Sequence, residues 1–358
     1  MIELKNATYG VDEDKLIVEK AIDFNVWLLC GNDAIKKEEL RKIFINKCQT
    51  VRTIAEGDNH PILNQSTLGY CSSDEEQNYT VEFLGFGNSK NRLKTIHQGV
   101  HEFCHAMQHV ASYILRNKKL DYTYNDCEYS VHGGTILEKK LHPKPNESTY
   151  SNYGLFFCET ITDLLTSLEL FYLDENYINE NITADQILKD NYSSLANSNL
   201  QKNGYSVYLS VARLAIAAFS NVGNVSYDQI IKSGNSIILG KINNKPVNDL
   251  LYGIMCDARY VEEEYDKIMG NNSYYTLCLK LDKMLNKKID SVEIKEIMTL
   301  LAIFHNRKKE MLFSQGVAEE QLIKMTNDFN LVFNNLQKEY NAYFTSNDVG
   351  EIKNTIKK

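Results

Sequence analysis

The chain has 358 residues, 43% hydrophobic and 10% aromatic, enough to bury a sizeable core and to divide into about two or three lobes. Its formal net charge is −8 and it has no long basic run, which argues against nucleic acid and against an anionic membrane surface as partners. The apolar stretch Val26-Trp27-Leu28-Leu29-Cys30 falls far short of the roughly 20 residues that span a bilayer. No charged segment followed by an apolar one opens the sequence, so the expected location is cytoplasmic; export without a cleavable signal would leave no such mark. The eight cysteines are scattered without a C-x-x-C pair and fit reduced thiols.

In chain order, residues 1–75 read as an N-terminal mixed α/β segment. A strand-like piece comes first, then a helix near Ile17 to Trp27 and another from Asp33 to Ile54. Asp58-Asn59-His60-Pro61 is a break. Tyr79-Thr80-Val81-Glu82-Phe83-Leu84-Gly85 alternates, is rich in β-branched and aromatic residues, and reads as a strand whose free edge can align an extended peptide. From Asn88 to Asn117 no proline interrupts the chain. Leu93, Ile96, Val100, Cys104, Met107, Ala111 and Ile114 recur at three and four, so the segment is predicted helical, capped by Asn88 or Ser89. Tyr129 to Leu137 reads as a turn or kinked strand, and His142 to Ser148 as a loop. Phe156 to Phe171 reads as a buried helix. The remainder, 176–358, is predicted almost entirely helical, with start signals at Thr183-Ala184-Asp185-Gln186 and Asp290-Ser291-Val292-Glu293. A last helix, Ala318 to Phe344, carries Leu322, Met325, Phe329, Val332, Phe333, Leu336, Tyr340 and Tyr343 on one stripe.

The chemistry concentrates in His101-Glu102-Phe103-Cys104-His105, an H-E-x-x-H pattern inside a predicted helix. Residues four apart on a helix differ by about 40° around its axis and about 6 Å along it, so two imidazoles so placed can close on one tetrahedral zinc ion. Glu102 is displaced far enough to reach a water beside the metal without taking a ligand position. A third ligand is needed. Glu159 and Asp163 lie one turn apart on the Phe156 to Phe171 helix, and buried carboxylates want a cation. Glu159 is the candidate third ligand; Asp163 is the candidate to orient His101 or His105 through its free ring nitrogen. His97 and His109 extend the four-residue series, but helix drift sets them about 120° apart, so all four histidines cannot share one metal. Both read more simply as partly exposed residues.

H-E-x-x-H followed by E-x-x-x-D on a second helix resembles the gluzincin class of zinc metallopeptidases. Tyr153-Gly154-Leu155-Phe156-Phe157-Cys158-Glu159 is similar to the end of the anthrax lethal factor-like catalytic domain, in which a Tyr-Gly pair precedes the glutamate ligand. Here Tyr153 stands one residue closer to the glutamate. The resemblance covers roughly residues 75 to 175. It implies one Zn2+ held by His101, His105 and Glu159, with Glu102 as general base. It also implies a tyrosine donor to the oxyanion: Tyr153 first, with Tyr150 and then His132 as alternatives. The expected fold is α+β and predominantly helical, with 76–175 a zincin-like catalytic core with a small sheet and 176–358 a helical C-terminal lobe. The expected function is a zinc-dependent endopeptidase acting on a protein or peptide substrate. The alternative is a non-catalytic regulatory or binding protein that keeps the scaffold.

Overall fold

The computed structural model describes residues 4–30, 34–55, 60–61, 63, 69–76, 78–85, 92–115, 121–124, 127–132, 136–144, 147–163, 166, 205–219, 258–285 and 290–356. The described residues are mostly helical, with two small sheets, one mixed and one antiparallel. It divides into two compact units, Met1–Ser194 with Ile242–Tyr260, and Leu195–Lys241 with Val261–Lys358. No helix among the described residues is long and apolar enough to cross a membrane.

The first unit opens with β1 (Ala7–Thr8), α1 (Asp12–Cys30), α2 (Ala34–Lys47), β2 (Cys48–Ile54), β3 (Gly69–Ser73), β4 (Tyr79–Leu84) and α3 (Arg92–Leu115). The four strands form one sheet in the order β1-β2-β4-β3. β1 and β4 run parallel to β2, whereas β3 pairs antiparallel with β4. Alternation along β4 sends Tyr79, Val81 and Phe83 into the core. There they meet Ile17, Val18, Ala21 and Ile22 of α1 and Ile96, Val100, Phe103 and Met107 of α3. Each of the Val, Ile, Phe and Met side chains among them contributes roughly 1.5–3 kcal/mol when fully buried. A glycine interrupts α3 for a steric reason: a Cβ on Gly99 would lie 2.9 Å from two ring carbons of Phe83.

Three sequence expectations change here. The helix read over Asp33 to Ile54 ends at Lys47, and Cys48–Ile54 is strand β2. Its β-branched run Thr50, Val51, Thr53 and Ile54 is placed in a slot between β1 and β4, and that pairing overrides helical periodicity. The strand over residues 79–84 has no free edge, because β2 and β3 flank it; among the described residues the outer strands of this sheet are β1 and β3. The division at residue 75 falls in the turn joining β3 to β4, where Asp74 accepts from the amides of Glu76 and Asn78 at 3.0 and 2.9 Å. Residues 1–75 and the motif helix therefore share one core.

Past α3, a second sheet carries β5 (Asp121–Tyr124), β6 (Cys127–His132), β7 (Ile136–Lys144) and β8 (Glu147–Tyr153), antiparallel throughout and in chain order. Much of the segment read as turn and loop is thus strand. Pro143 is tolerated where the β7–β8 register shifts between Leu141 and Lys144, since proline offers no ladder amide. Residues 155–163 form helix α4.

In the second unit lie α5 (Tyr205–Phe219), the greater part of α6 (Ala258–Met269), α7 (Ser273–Leu285), α8 (Ser291–Ser314) and α9 (Glu319–Ile356). Asp290 caps α8, its carboxylate accepting from Val292 and Glu293 amides at 2.7 and 3.3 Å. Leu322, Met325, Phe329, Val332, Leu336 and Tyr340 of α9 are buried on one stripe. Lys308, 0% exposed, donates to the Phe219 carbonyl that ends α5 at 2.8 Å and pairs with Glu264 at 2.9 Å. The start signal read at Thr183 to Gln186 lies outside the described residues.

Candidate metal centre

The centre is built by two helices. The apolar stripe of α3 docks on the first sheet and leaves His101 and His105, one turn apart, half-buried on another face. The chain leaves β8 at Tyr153, turns through Gly154 at φ 92, and starts α4 with the Cys158 amide donating to the Gly154 carbonyl at 3.0 Å. A side chain resists that positive φ, so glycine permits the abrupt change from strand to helix. One turn into α4 stands Glu159, and one turn further Asp163.

Nε2 of His101 lies 3.0 Å from Nε2 of His105. Oε2 of Glu159 is 3.6 Å from the first and 3.8 Å from the second. Ligands bound about 2.0–2.1 Å from a tetrahedral zinc stand roughly 3.3 Å apart, so this triangle matches one face of that polyhedron. The donor chemistry agrees. Nδ1 of His101 donates to Oδ1 of Asp163 at 2.7 Å, and Nδ1 of His105 faces Thr162 Oγ1 at 3.4 Å and Cys158 Sγ at 3.5 Å. With both Nδ1 protons so used, two neutral rings would point lone pairs at one another across 3.0 Å. A cation or proton between them is required. The Glu159 side chain is 40% exposed, which leaves the triangle open to solvent on that side.

Charge follows the same pattern in the metal-free protein. Burial works against a charged His101, but the Asp163 carboxylate overcomes it and raises the ring to about 10. Burial also opposes charge on His105, and Cys158 and Glu159 outweigh it, lifting that ring well above its ordinary value. Glu159 is pushed up by burial and pulled down further by hydrogen bonds from both rings, ending well below the usual carboxylate range. Asp163 is likewise raised by burial and lowered more by His101, to about 2. A divalent ion would take the place of the positive charge that Glu159 and Asp163 favour on these rings.

Glu102 is 4% exposed, and its Oε1 accepts from the Gln98 amide one turn earlier on α3. Burial raises its pKa, against the lowering charges of His101 and His105. Edge strand β3 crosses directly above: a Cβ on Gly69 would lie 2.9 Å from Glu102 Cγ. At the other end of β3, Ser73 Oγ lies 3.1 Å from His109 Nδ1, so His109 ties the edge strand to α3.

His97 lies beside the centre. Its Nε2 is 3.7 Å from Asp163 Oδ1, and its Nδ1 is buried without a partner among the described residues. His97, His101 and Asp163 form a second close trio, but the 2.7 Å His101–Asp163 separation is a charge-assisted hydrogen bond, shorter than the edge of a coordination shell. Tyr153 ends β8 and is 1% exposed. Tyr150 lies on β8 and His132 on β6; their side chains are outside the described ones. Sequence reasoning missed Gln98, Gln108 and Thr162. The four-residue spacing of Gln98 to Glu102 was a usable signal; Gln108 and Thr162 carried none.

No family model, curated protein or solved structure matches this chain.

Proposed function

We propose that the protein is a zinc-dependent endopeptidase of gluzincin type with a zincin-like core. The observation that carries this is the triangle of His101 Nε2, His105 Nε2 and Glu159 Oε2, with sides of 3.0, 3.6 and 3.8 Å. These residues fit a single zinc ion, which when bound supplies Lewis-acid activation of water and of the scissile carbonyl. Asp163 holds the proton on Nδ1 of His101 and so keeps Nε2 available. Glu102 accepts a proton from the attacking water and returns it to the departing amine. The Gln98 contact occupies Oε1 of Glu102 and leaves Oε2 for that transfer. Tyr153, at the start of the Glu159 helix, is the proposed oxyanion donor. In this reading the substrate is a protein or peptide chain.

The test is Glu102→Gln. Zinc content, measured on purified protein, stays at one per chain, while hydrolysis of an unfolded protein substrate falls by at least about 100-fold, the scale of a lost general base. A wild-type chain that holds zinc and cleaves nothing across a broad peptide library supports the non-catalytic alternative.

A further inference from the structure

We propose that Gln108 is a positioning residue of the candidate metal centre, acting on His105 through Thr162 and Cys158; this rests on the zinc reading above. The two histidines are held differently. Among the described residues His101 has a carboxylate on Nδ1, whereas His105 has a hydroxyl and a thiol, at 3.4 and 3.5 Å. A hydroxyl can rotate and a thiol hydrogen-bonds weakly, so neither alone fixes a ring.

Gln108 supplies what is missing. It stands one turn beyond His105 on α3, fully buried. Its Nε2 donates to Thr162 Oγ1 at 2.6 Å, and its Oε1 accepts the Cys158 thiol proton at 3.7 Å. Thr162 and Cys158 are themselves one turn apart on α4. One planar amide therefore grips both partners of His105 at once and sets their spacing. The Thr162 hydroxyl is visibly diverted to this task. Its helix neighbours Thr160 and Thr166 donate back to the carbonyls of Phe156 and Thr162, at 2.7 and 2.8 Å. Thr162 Oγ1 instead faces Gln108 and His105. The amide is neutral, so the clamp orients the ring without adding charge. The expected result is an asymmetric pair: His101 is held by a carboxylate, and His105 by a neutral hydroxyl and thiol that Gln108 fixes in place.

The experiment measures zinc dissociation constants by chelator competition for wild type, Gln108→Leu, Thr162→Val and the double variant. Each single change should weaken zinc by about 10–100-fold, and the double should be no weaker than the worse single, because Thr162 acts within the clamp that Gln108 sets. The visible spectrum of the cobalt-loaded protein should shift in the same variants, which loss of packing alone would not cause while circular dichroism is unchanged. Zinc affinity of Gln108→Leu within about twofold of wild type, or fully multiplicative losses in the double, overturns the clamp. If Gln108→Leu fails to fold, the near-isosteric Thr162→Val decides alone, and unchanged affinity there overturns it. A folded wild type that binds no zinc removes the metal centre and the clamp together. A wild type that binds one zinc, with variants that bind it equally, removes the clamp alone.

Discussion

Oδ1 of Asp163 lies 2.7 Å from Nδ1 of His101, and that one contact decides which nitrogen of the ring faces Glu159 and His105. Without it the neutral ring can adopt the tautomer that carries its proton on Nε2 and presents that proton to the metal. Asp163→Asn keeps the shape but offers a neutral acceptor. Zinc should bind about 10–100-fold more weakly, measured against a chelator of known affinity. The loss should exceed that of Thr162→Val, because a carboxylate contact is stronger than a hydroxyl one.

Removing the metal should cost stability. Zinc at a hundredfold excess over its dissociation constant contributes about 2.7 kcal/mol to the folded state. A chelator should therefore lower the melting temperature, and zinc should restore it. Glu159→Gln removes one ligand and should largely abolish the chelator's effect. An identical response in wild type and variant would mean the stabilising ion sits elsewhere.

Gly99 sits mid-helix, where alanine would ordinarily gain about 1 kcal/mol in propensity. Here the added methyl would meet the Phe83 ring at 2.9 Å. Overpacking of that kind costs about 1–3 kcal/mol, so Gly99→Ala should destabilise on balance. Adding Phe83→Leu makes room and should recover part of the loss, read as urea midpoints. A stabilised single variant would show that α3 can shift away from the sheet.

His305 lies on α8 in the second unit. It is 1% exposed, stacks on Phe329 at 4.1 Å, and neither ring nitrogen has a partner among the described residues. Burial, then Lys308 and Lys309, lowers it from 6.5 to about 4. The unfolded chain therefore binds a proton at a higher pH than the folded one. Its contribution is complete above pH 6.5 and is lost as the pH falls towards 4. The shift from 6.5 to about 4 corresponds to about 3 kcal/mol. His305→Phe keeps a ring against Phe329 and should flatten the stability profile across that window. An unchanged slope would assign the acid loss to other groups.

The amino-acid sequence alone determined the parts of this protein that depend on local geometry. The four-residue spacing of His101 and His105, the matching spacing of Glu159 and Asp163, and the cap at Asp290 are all consequences of one helix following its own 3.6-residue turn. Strand identity was less legible. Cys48–Ile54 looked helical because its neighbours are, and only its place between β1 and β4 makes it a strand. The antiparallel β5–β8 sheet reads in the sequence only as a turn or kinked strand over 129–137 and a loop over 142–148, for the same reason: a strand's stability lies in partners that periodicity does not name. Tertiary structure alone decided that β3, not β4, forms the outer strand over Glu102, that Asp163 serves His101 and not His105, and that Gln108 reaches across to Thr162 and Cys158. Each of these joins residues dozens of positions apart, and contacts of that range are set by how finished helices and sheets dock, not by the order of residues within any one of them.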